Sequence, residues 1–170
     1  MISRKSNDNA HHARRQALIA AIGTATQAFQ RSTDAFDDVV AQRLELNRTD
    51  LRCLDWLFDG PKSAGQLAAA IGLSTAATTT LVDRLEHRGL VRRVRDAADR
   101  RKVLVEMTEL GRRLTDEYYG PLAREGARLL ERYTNAQLTA MRDQLLAATA
   151  LIDRYRARLR GQADQASDAG

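Results

Sequence analysis

Residues 63–114 read SAGQLAAAIGLSTAATTTLVDRLEHRGLVRRVRDAADRRKVLVEMTELGRRL. Ser63, followed three residues later by Gln66, predicts a capping box at the start of a helix, and Gly72 predicts the end of that helix. Ser74 predicts the cap of a second helix, which ends before the next glycine. Two short helices joined by about three residues around a glycine are typical of a helix-turn-helix.

Two short runs with high β propensity follow the second helix, at residues 90–95 and 103–107. The loop between them, residues 96–102, is polar and ends in three consecutive basic residues. This pattern predicts a β-hairpin with a basic tip. Because a hairpin that directly follows a helix-turn-helix is a wing, residues 47–108 are predicted to form a winged helix-turn-helix.

The segments on both sides are predicted to form long amphipathic helices. In residues 13–46, small or apolar side chains recur in steps of three and four, beginning with Leu18 and Ile22. The last helix carries a heptad seam of about three heptads. Its members are Leu138, Met141, Leu145, Ala148, Ile152, Tyr155 and Leu159. Since a domain of about 50 residues cannot cover such long seams, we expect them to pack against each other and against a second copy.

The chain is therefore expected to have five parts and a mainly α fold with a small β-hairpin wing. Residues 1–12 and 161–170 are polar and are expected to be disordered. Residues 13–46 are expected to form a dimerisation helix, and residues 109–160 the C-terminal dimerisation helices. The winged helix-turn-helix, at 47–108, lies between them.

The net charge of +5 on the 170-residue chain arises in the middle of the sequence. Residues 60–105 hold nine basic and four acidic side chains, whereas the rest of the chain holds 18 of each. A basic region of this kind suits a polyanion such as DNA. A solvated arginine-rich surface has the same composition, so the charge by itself leaves that alternative open.

The motif LVDRLEHRGLV, the Asp-Arg-Arg of the loop and the motif MTELGRRL follow one another in residues 63–114. This stretch resembles the MarR family of multiple antibiotic resistance regulators, and the order of helices over the whole chain is similar. The resemblance implies a winged-helix homodimer that binds an inverted-repeat operator in double-stranded DNA. It also implies a transcriptional repressor that a small-molecule effector releases, with no enzymatic activity and no cofactor.

The helix that follows Ser74 is the predicted recognition helix. Small side chains let a helix sit deep in the major groove, hydroxyls reach phosphates or base edges, and methyl groups contact thymine. Ala77, Leu81 and Leu85 are expected to face the core. The residues expected to contact DNA from this part of the chain are Lys62, Ser74, Thr75, Ala76, Thr78, Thr79, Thr80 and Arg84.

Thr75 and Thr80 stand where many proteins of the resembled family carry a basic residue. Direct readout of guanine by this helix is therefore less favoured. Methyl contacts, water and DNA shape are expected to contribute more of the specificity.

The wing is expected to supply the positive charge. In the resembled family, the arginine two residues after the wing aspartate enters the minor groove, and this pattern matches Arg101 after Asp99. Asp99 is expected to orient Arg101 through a bidentate ion pair. Arg100 and Lys102 are expected to contact phosphates.

The resemblance also places an effector pocket between the helix-turn-helix and the dimer helices. Four aromatic side chains are candidates for its lining: Phe29, Phe36, Trp56 and Tyr118. Alternatively, each of these side chains packs in the core or in a helical seam and contacts no effector. The expected effector is a small molecule of aromatic or phenolic type.

Several other classes of protein find no support in the sequence. Cys53 is the single cysteine, so it predicts a buried small hydrophobe, with a redox sensor as the alternative. His11, His12 and His87 lack metal-ligand spacing, so no metal site is predicted. No P-loop or nucleophile motif is present. The lack of a signal peptide and of a long apolar run predicts a cytoplasmic protein without a membrane span.

Two alternatives to a sequence-specific regulator remain at this point. The same fold serves architectural or weakly specific DNA-binding proteins. It also serves as a protein-interaction module that no longer binds DNA, although the basic wing argues against this second alternative.

Overall fold

The computed structural model describes the backbone of residues 2–167 and the side chains of residues 9–162. Its elements in chain order are α1 (Ile2–Arg43), α2 (Arg48–Phe58), β1 (Lys62–Ser63), α3 (Ala64–Ile71), α4 (Thr75–His87), β2 (Val91–Arg95), β3 (Val103–Met107), α5 (Glu109–Leu130) and α6 (Asn135–Ser167). Contacts divide the chain into two units, residues 1–118 and 119–170. The predicted mainly α class with a small β wing is confirmed.

Both ends of the chain are more helical than the sequence suggested. Helix α1 begins at Ile2, and α6 continues to Ser167, so most of the two segments expected to be disordered is helical. Met1 and residues 168–170 lie outside the described residues. Residues 2–22 contain neither proline nor glycine and are rich in alanine and arginine. Because no residue in this segment interrupts a helix, α1 extends towards the N-terminus as far as Ile2.

The helix-turn-helix forms as its capping residues predict. Ser63 Oγ accepts from the Gln66 amide at 3.2 Å, and Gln66 Oε1 accepts from the Ser63 amide at 2.8 Å. Gly72 ends α3 with φ of 83°, a left-handed conformation that glycine adopts without strain. Ser74 Oγ accepts from the Ala77 amide at 3.2 Å and so begins α4.

The wing is a β-hairpin in a three-stranded antiparallel sheet of order β1-β3-β2. Strands β2 and β3 pair from Val91 opposite Met107 to Arg95 opposite Val103. Strand β1 adds Lys62 opposite Val105 on the other edge of β3. This third strand was not predicted, because two residues are too few to show the alternation that marks a strand.

The core of the first unit lies where α2, α3 and α4 pack on the sheet. Its buried members are Leu46, Cys53, Leu54, Leu57, Leu67, Ile71, Leu81, Val82, Leu85, Leu90, Val91, Val105 and Met107. These side chains come from the predicted helix-turn-helix, its wing, helix α2 and, for Leu46, the connection between α1 and α2. The core therefore fixes the orientation of α4 and of the wing base together.

The predicted seams on α1 and α6 lie on exposed surface of the single chain. Leu18 and Ile22 of α1 are exposed, as are most seam positions of α6. Leu138, near the start of α6, is half-buried. Helix α6 begins with a capping box in which Thr134 Oγ1 accepts from the Gln137 amide at 3.3 Å and Gln137 Oε1 accepts from the Thr134 amide at 2.9 Å.

The start of α5 lies directly against the residues that follow α4. Thr108 Oγ1 donates to the Gly89 carbonyl oxygen at 2.6 Å, and the Thr108 amide donates to the Leu90 carbonyl oxygen at 3.0 Å. A Cβ atom at Gly111 would overlap that Leu90 carbonyl and would lie 2.8 Å from Met107 Cγ. The close approach of α5 to the wing base therefore requires glycine at position 111.

We expect Gly111→Ala to lower the free energy of unfolding by about 1–3 kcal/mol, because the added methyl overpacks a contact with backbone. Gly65→Ala is the matched control. A Cβ there meets nothing within 4 Å, and the helix gains up to about 1 kcal/mol from the change. Urea denaturation at one fixed protein concentration measures both effects. Equal stability of the two variants would contradict this packing.

Candidate nucleic-acid interface

Helix α4 buries one side and exposes the other. The buried stripe consists of Thr78, Leu81, Val82 and Leu85, which recur in steps of three and four. The exposed positions of its N-terminal half are Thr75, Ala76, Ala77, Thr79 and Thr80. Four of the residues expected to face DNA from this helix are thus on the exposed side, together with the cap residue Ser74.

The predicted orientations of two neighbouring residues of α4, Ala77 and Thr78, were wrong. Thr78, predicted to contact DNA, has no exposed surface, and its Oγ1 donates to the Ser74 carbonyl oxygen at 2.9 Å. Ala77, predicted to face the core, is exposed. The buried hydroxyl is accommodated because it donates within the helix, which a hydropathy pattern does not reveal.

Arg84 contacts the neighbouring helix. Its Nη2 lies 2.5 Å from Oδ1 of Asp50, a carboxylate on α2 whose side chain is only 3% exposed. The hydrogen bond to Asp50 raises the pKa of Arg84 above its ordinary value. Asp50 also accepts from the Asn47 amide at 3.1 Å. In this structure Arg84 therefore ties α4 to α2 while 44% of its side chain stays exposed, and its contact with DNA remains a prediction.

Two more arginines tie elements together. The Arg88 guanidinium donates to the carbonyl oxygens of Leu44 at 2.7 Å and Glu45 at 2.6 Å, just beyond the end of α1. Arg93 of β2 forms ion pairs with Asp83 and Glu86 of α4, and the hydrogen bond to Asp83 is the main cause of its raised pKa. No local pattern predicts the Arg88 contact, because its partners are 43 and 44 residues away.

The tip of the wing holds its basic side chains outward. Its backbone turns through hydrogen bonds from the Asp96 amide to the Lys102 carbonyl oxygen at 3.0 Å and from the Lys102 amide to the Asp99 carbonyl oxygen at 2.8 Å. The Arg101 side chain is 93% exposed. Arg100 and Lys102 are exposed beside it.

Asp99 holds Arg101 differently from the expected bidentate pair. Asp99 Oδ1 accepts from the Arg101 amide at 3.1 Å, and the Arg101 Nε lies 3.4 Å from the same oxygen. Asp99 Oδ2 lies 3.9 Å from Lys102 Nζ. The bidentate expectation was wrong: the carboxylate orders the backbone of the tip and contacts the guanidinium at Nε alone, so the Arg101 side chain stays almost wholly exposed.

The remaining predicted DNA contact, Lys62, lies in β1 and is half-buried. It belongs to the same sheet as the wing and lies opposite Val105. The tip residues and Lys62 are therefore carried by one sheet, with Lys62 on the strand farthest from β2.

The four candidate effector residues differ in exposure, and their place in an effector pocket remains a prediction. Phe29 is 73% exposed, Trp56 is partly exposed, and Phe36 and Tyr118 are half-buried. A shallow apolar groove lies on α6, lined by Leu151, Ile152, Tyr155, Arg156, Leu159 and Arg160. None of the four aromatic residues contributes to that groove.

Cys53 lies fully buried in the core of the first unit. Burial, with a smaller effect of the Asp50 charge, raises the pKa of its thiol to about 12. A thiol of this kind is inert at neutral pH, because the thiolate is the reactive form. This supports the interpretation of Cys53 as a small hydrophobe.

Within residues 9–162, no group of three or more His, Cys, Asp or Glu side chains is placed to hold a metal ion. The described helices also contain no segment with the length and hydropathy of a membrane span.

A helix-turn-helix, a three-stranded wing sheet with a cationic tip and an exposed recognition-helix face together define the winged-helix class of DNA-binding proteins. The model of the MarR family matches residues 46–103. The chain is 38% identical to an uncharacterized HTH-type transcriptional regulator, YcgE of Bacillus subtilis, over 68% of this chain and 77% of that protein. The chain belongs to the MarR family, and it is a transcriptional regulator.

Two further relatives are similar over much of the chain. The HTH-type transcriptional repressor NicR of Pseudomonas putida is 37% identical over 58% of this chain and 62% of NicR. The crystal structure of CouR from Rhodococcus jostii, bound to p-coumaroyl-CoA, is 28% identical with a TM-score of 0.55, covering 75% of this chain and 90% of CouR. The predicted family and fold are thereby confirmed, and regulators of this family bind DNA and act as dimers.

We expect Arg84→Met to lower the free energy of unfolding by about 1–3 kcal/mol, because it leaves the buried Asp50 carboxylate without its cation. Adding Asp50→Asn should recover part of the loss, since the buried charge is then removed. Arg128→Met is the control: Arg128 pairs with Glu125 on the surface, and such pairs contribute at most about 1 kcal/mol. If denaturant titration finds Arg84→Met and Arg128→Met equally stable, the ion pair between Arg84 of α4 and Asp50 of α2 does not stabilise the fold.

Proposed function

We propose that this regulator is a homodimeric repressor that binds an inverted-repeat operator through α4 and the wing, and that a small-molecule effector releases it. One observation carries the proposal: the hairpin that follows the recognition helix holds the Arg101 guanidinium, 93% exposed, at its tip. A narrow minor groove has a strong negative potential, which attracts such a side chain. The exposed threonine and alanine face of α4 fits the major groove beside it.

The exposed seams support a homodimer. Leu18, Ile22 and Phe29 on α1 and Leu145 and Ile152 on α6 are large apolar side chains that a single chain leaves in water. A two-fold dimer would place two α4 helices in successive major grooves, roughly 34–36 Å apart. The operator would then be an imperfect palindrome of about 16–20 base pairs.

Two relatives support repression and release by an effector. NicR is named a repressor, and CouR was crystallised with p-coumaroyl-CoA, which carries a phenolic ring. We infer an aromatic or phenolic effector for this chain, with Phe29, Phe36, Trp56 and Tyr118 as candidate contacts. The effector would act by stabilising the dimer conformation whose α4 spacing fits DNA poorly.

Selection of bound fragments from the host genome, followed by gel-shift titration, tests the proposal. A repressor prefers the selected duplex over random DNA by about 10³-fold or more at physiological salt. Equal affinity for both would indicate an architectural DNA-binding protein. No affinity even at low salt would indicate a protein-interaction module.

Arg101→Ala should weaken binding to the selected operator by about 10–100-fold per half-site, because the minor groove loses its cation. Far-ultraviolet circular dichroism and sedimentation should show a folded dimer, since the side chain contacts solvent and its own loop only. Gel-shift titration measures the change.

Arg128→Ala is the control, because it removes the same charge from a surface pair outside the winged helix-turn-helix. An unchanged affinity in Arg101→Ala would exclude Arg101 as a DNA ligand.

For the wild type, operator affinity should fall by about 10³–10⁵-fold between 50 and 200 mM salt if 6–10 phosphates are contacted.

Leu145→Glu should convert the dimer to a monomer, because the seam would bury an unpaired carboxylate. Operator affinity should fall with it, since each half-site is then bound separately. Ala150→Glu introduces the same charge at an exposed α6 position outside the heptad seam and should remain dimeric. Analytical ultracentrifugation that finds Leu145→Glu still dimeric would place the interface elsewhere.

A further inference from the structure

The N-terminal half of α4 lacks the side chains that recognise guanine or adenine by paired hydrogen bonds. Arginine or lysine pairs with guanine in the major groove, and asparagine or glutamine pairs with adenine. Helix α4, Thr75–His87, contains no lysine, asparagine or glutamine. Its one arginine, Arg84, donates to the buried carboxylate of Asp50 at 2.5 Å. In a DNA complex, the exposed positions before Arg84 would therefore read bases by other means.

Two of the exposed hydroxyls donate within the helix. Thr79 Oγ1 donates to the Thr75 carbonyl oxygen at 3.0 Å, and Thr80 Oγ1 donates to the Ala76 carbonyl oxygen at 3.2 Å. A hydroxyl has a single proton, so neither threonine has a second proton for a base edge. Each side chain still offers a methyl group.

We propose that Thr79 and Thr80 select thymine in the operator half-site by contact between their methyl groups and the C5-methyl of thymine. This inference rests on the proposed function, because it assumes that α4 lies in the major groove. Thymine is the unmodified base that presents a methyl group there, so an apolar face on a recognition helix favours it. Ala76 and Ala77, exposed on the same half of the helix, extend that apolar face.

The experiment begins with a duplex selected from a random library by the full-length wild-type protein, with its protected half-sites mapped. Replacing one protected thymine by deoxyuridine removes only the C5-methyl group. Loss of one buried methyl contact should weaken binding about fourfold per half-site, and about 15-fold when both half-sites are changed. The same replacement outside the protected major groove is the control and should change nothing.

Matched variants assign the effect to these two residues. Thr79→Ser and Thr80→Ser keep the hydroxyl and remove the methyl. In the variant whose methyl contacts the replaced thymine, the deoxyuridine penalty should shrink to less than about twofold. Thr79→Val and Thr80→Val keep the methyl and remove the hydroxyl, so the deoxyuridine penalty should stay at about fourfold per half-site in these variants. Both positions are exposed, and circular dichroism verifies folding of each variant.

Each outcome decides the proposal. A deoxyuridine penalty that the serine variants abolish and the valine variants retain supports it. A selected duplex whose affinity is unaffected by deoxyuridine overturns the inference while the proposed function stands, as does a loss of binding confined to the valine variants. Recovery of no duplex by the wild type overturns the proposed function, and the inference with it.

Discussion

The arrangement of the proposed DNA-binding surface depends on the burial of one side of α4. Thr78, Leu81, Val82 and Leu85 fill the core, and their spacing fixes the rotation of the helix about its axis. A rotation by one residue, about 100°, would bring Ala77 into the core and expose Thr78. That rotation therefore decides which side chains of α4 face outward.

The arginines of the central region fall into two groups with different physical roles. Arg84 and Arg88 bind a buried carboxylate and backbone carbonyls, and so tie α4 to α2 and to the residues after α1. Arg93 ties β2 to α4. At the wing tip, by contrast, Arg101 remains almost wholly exposed. A net charge counts all of these alike, although Arg84 and Arg93 are paired with carboxylates of the same unit whereas the Arg101 side chain is 93% exposed.

The proposed DNA complex divides affinity and specificity between the two elements. The exposed cations of the wing would supply attraction that depends on salt, as phosphate and minor-groove contacts do. The small apolar face of α4 would supply discrimination among bases. Because the hydroxyls of Thr79 and Thr80 donate within the helix, this discrimination would depend on methyl contacts and DNA shape.

The helix-turn-helix, the wing and the family could be predicted from the residues alone, because caps, glycine turns and alternating strands depend on neighbours a few residues apart. Thus Ser63 with Gln66, Gly72 and Ser74 all act as their local spacing predicts. The burial of Thr78, the pairing of Arg84 with Asp50 and the place of Lys62 in a third strand became clear from the folded chain. Those outcomes depend on contacts between residues far apart in the chain, 34 residues for Arg84 and Asp50, and no local pattern encodes such a contact.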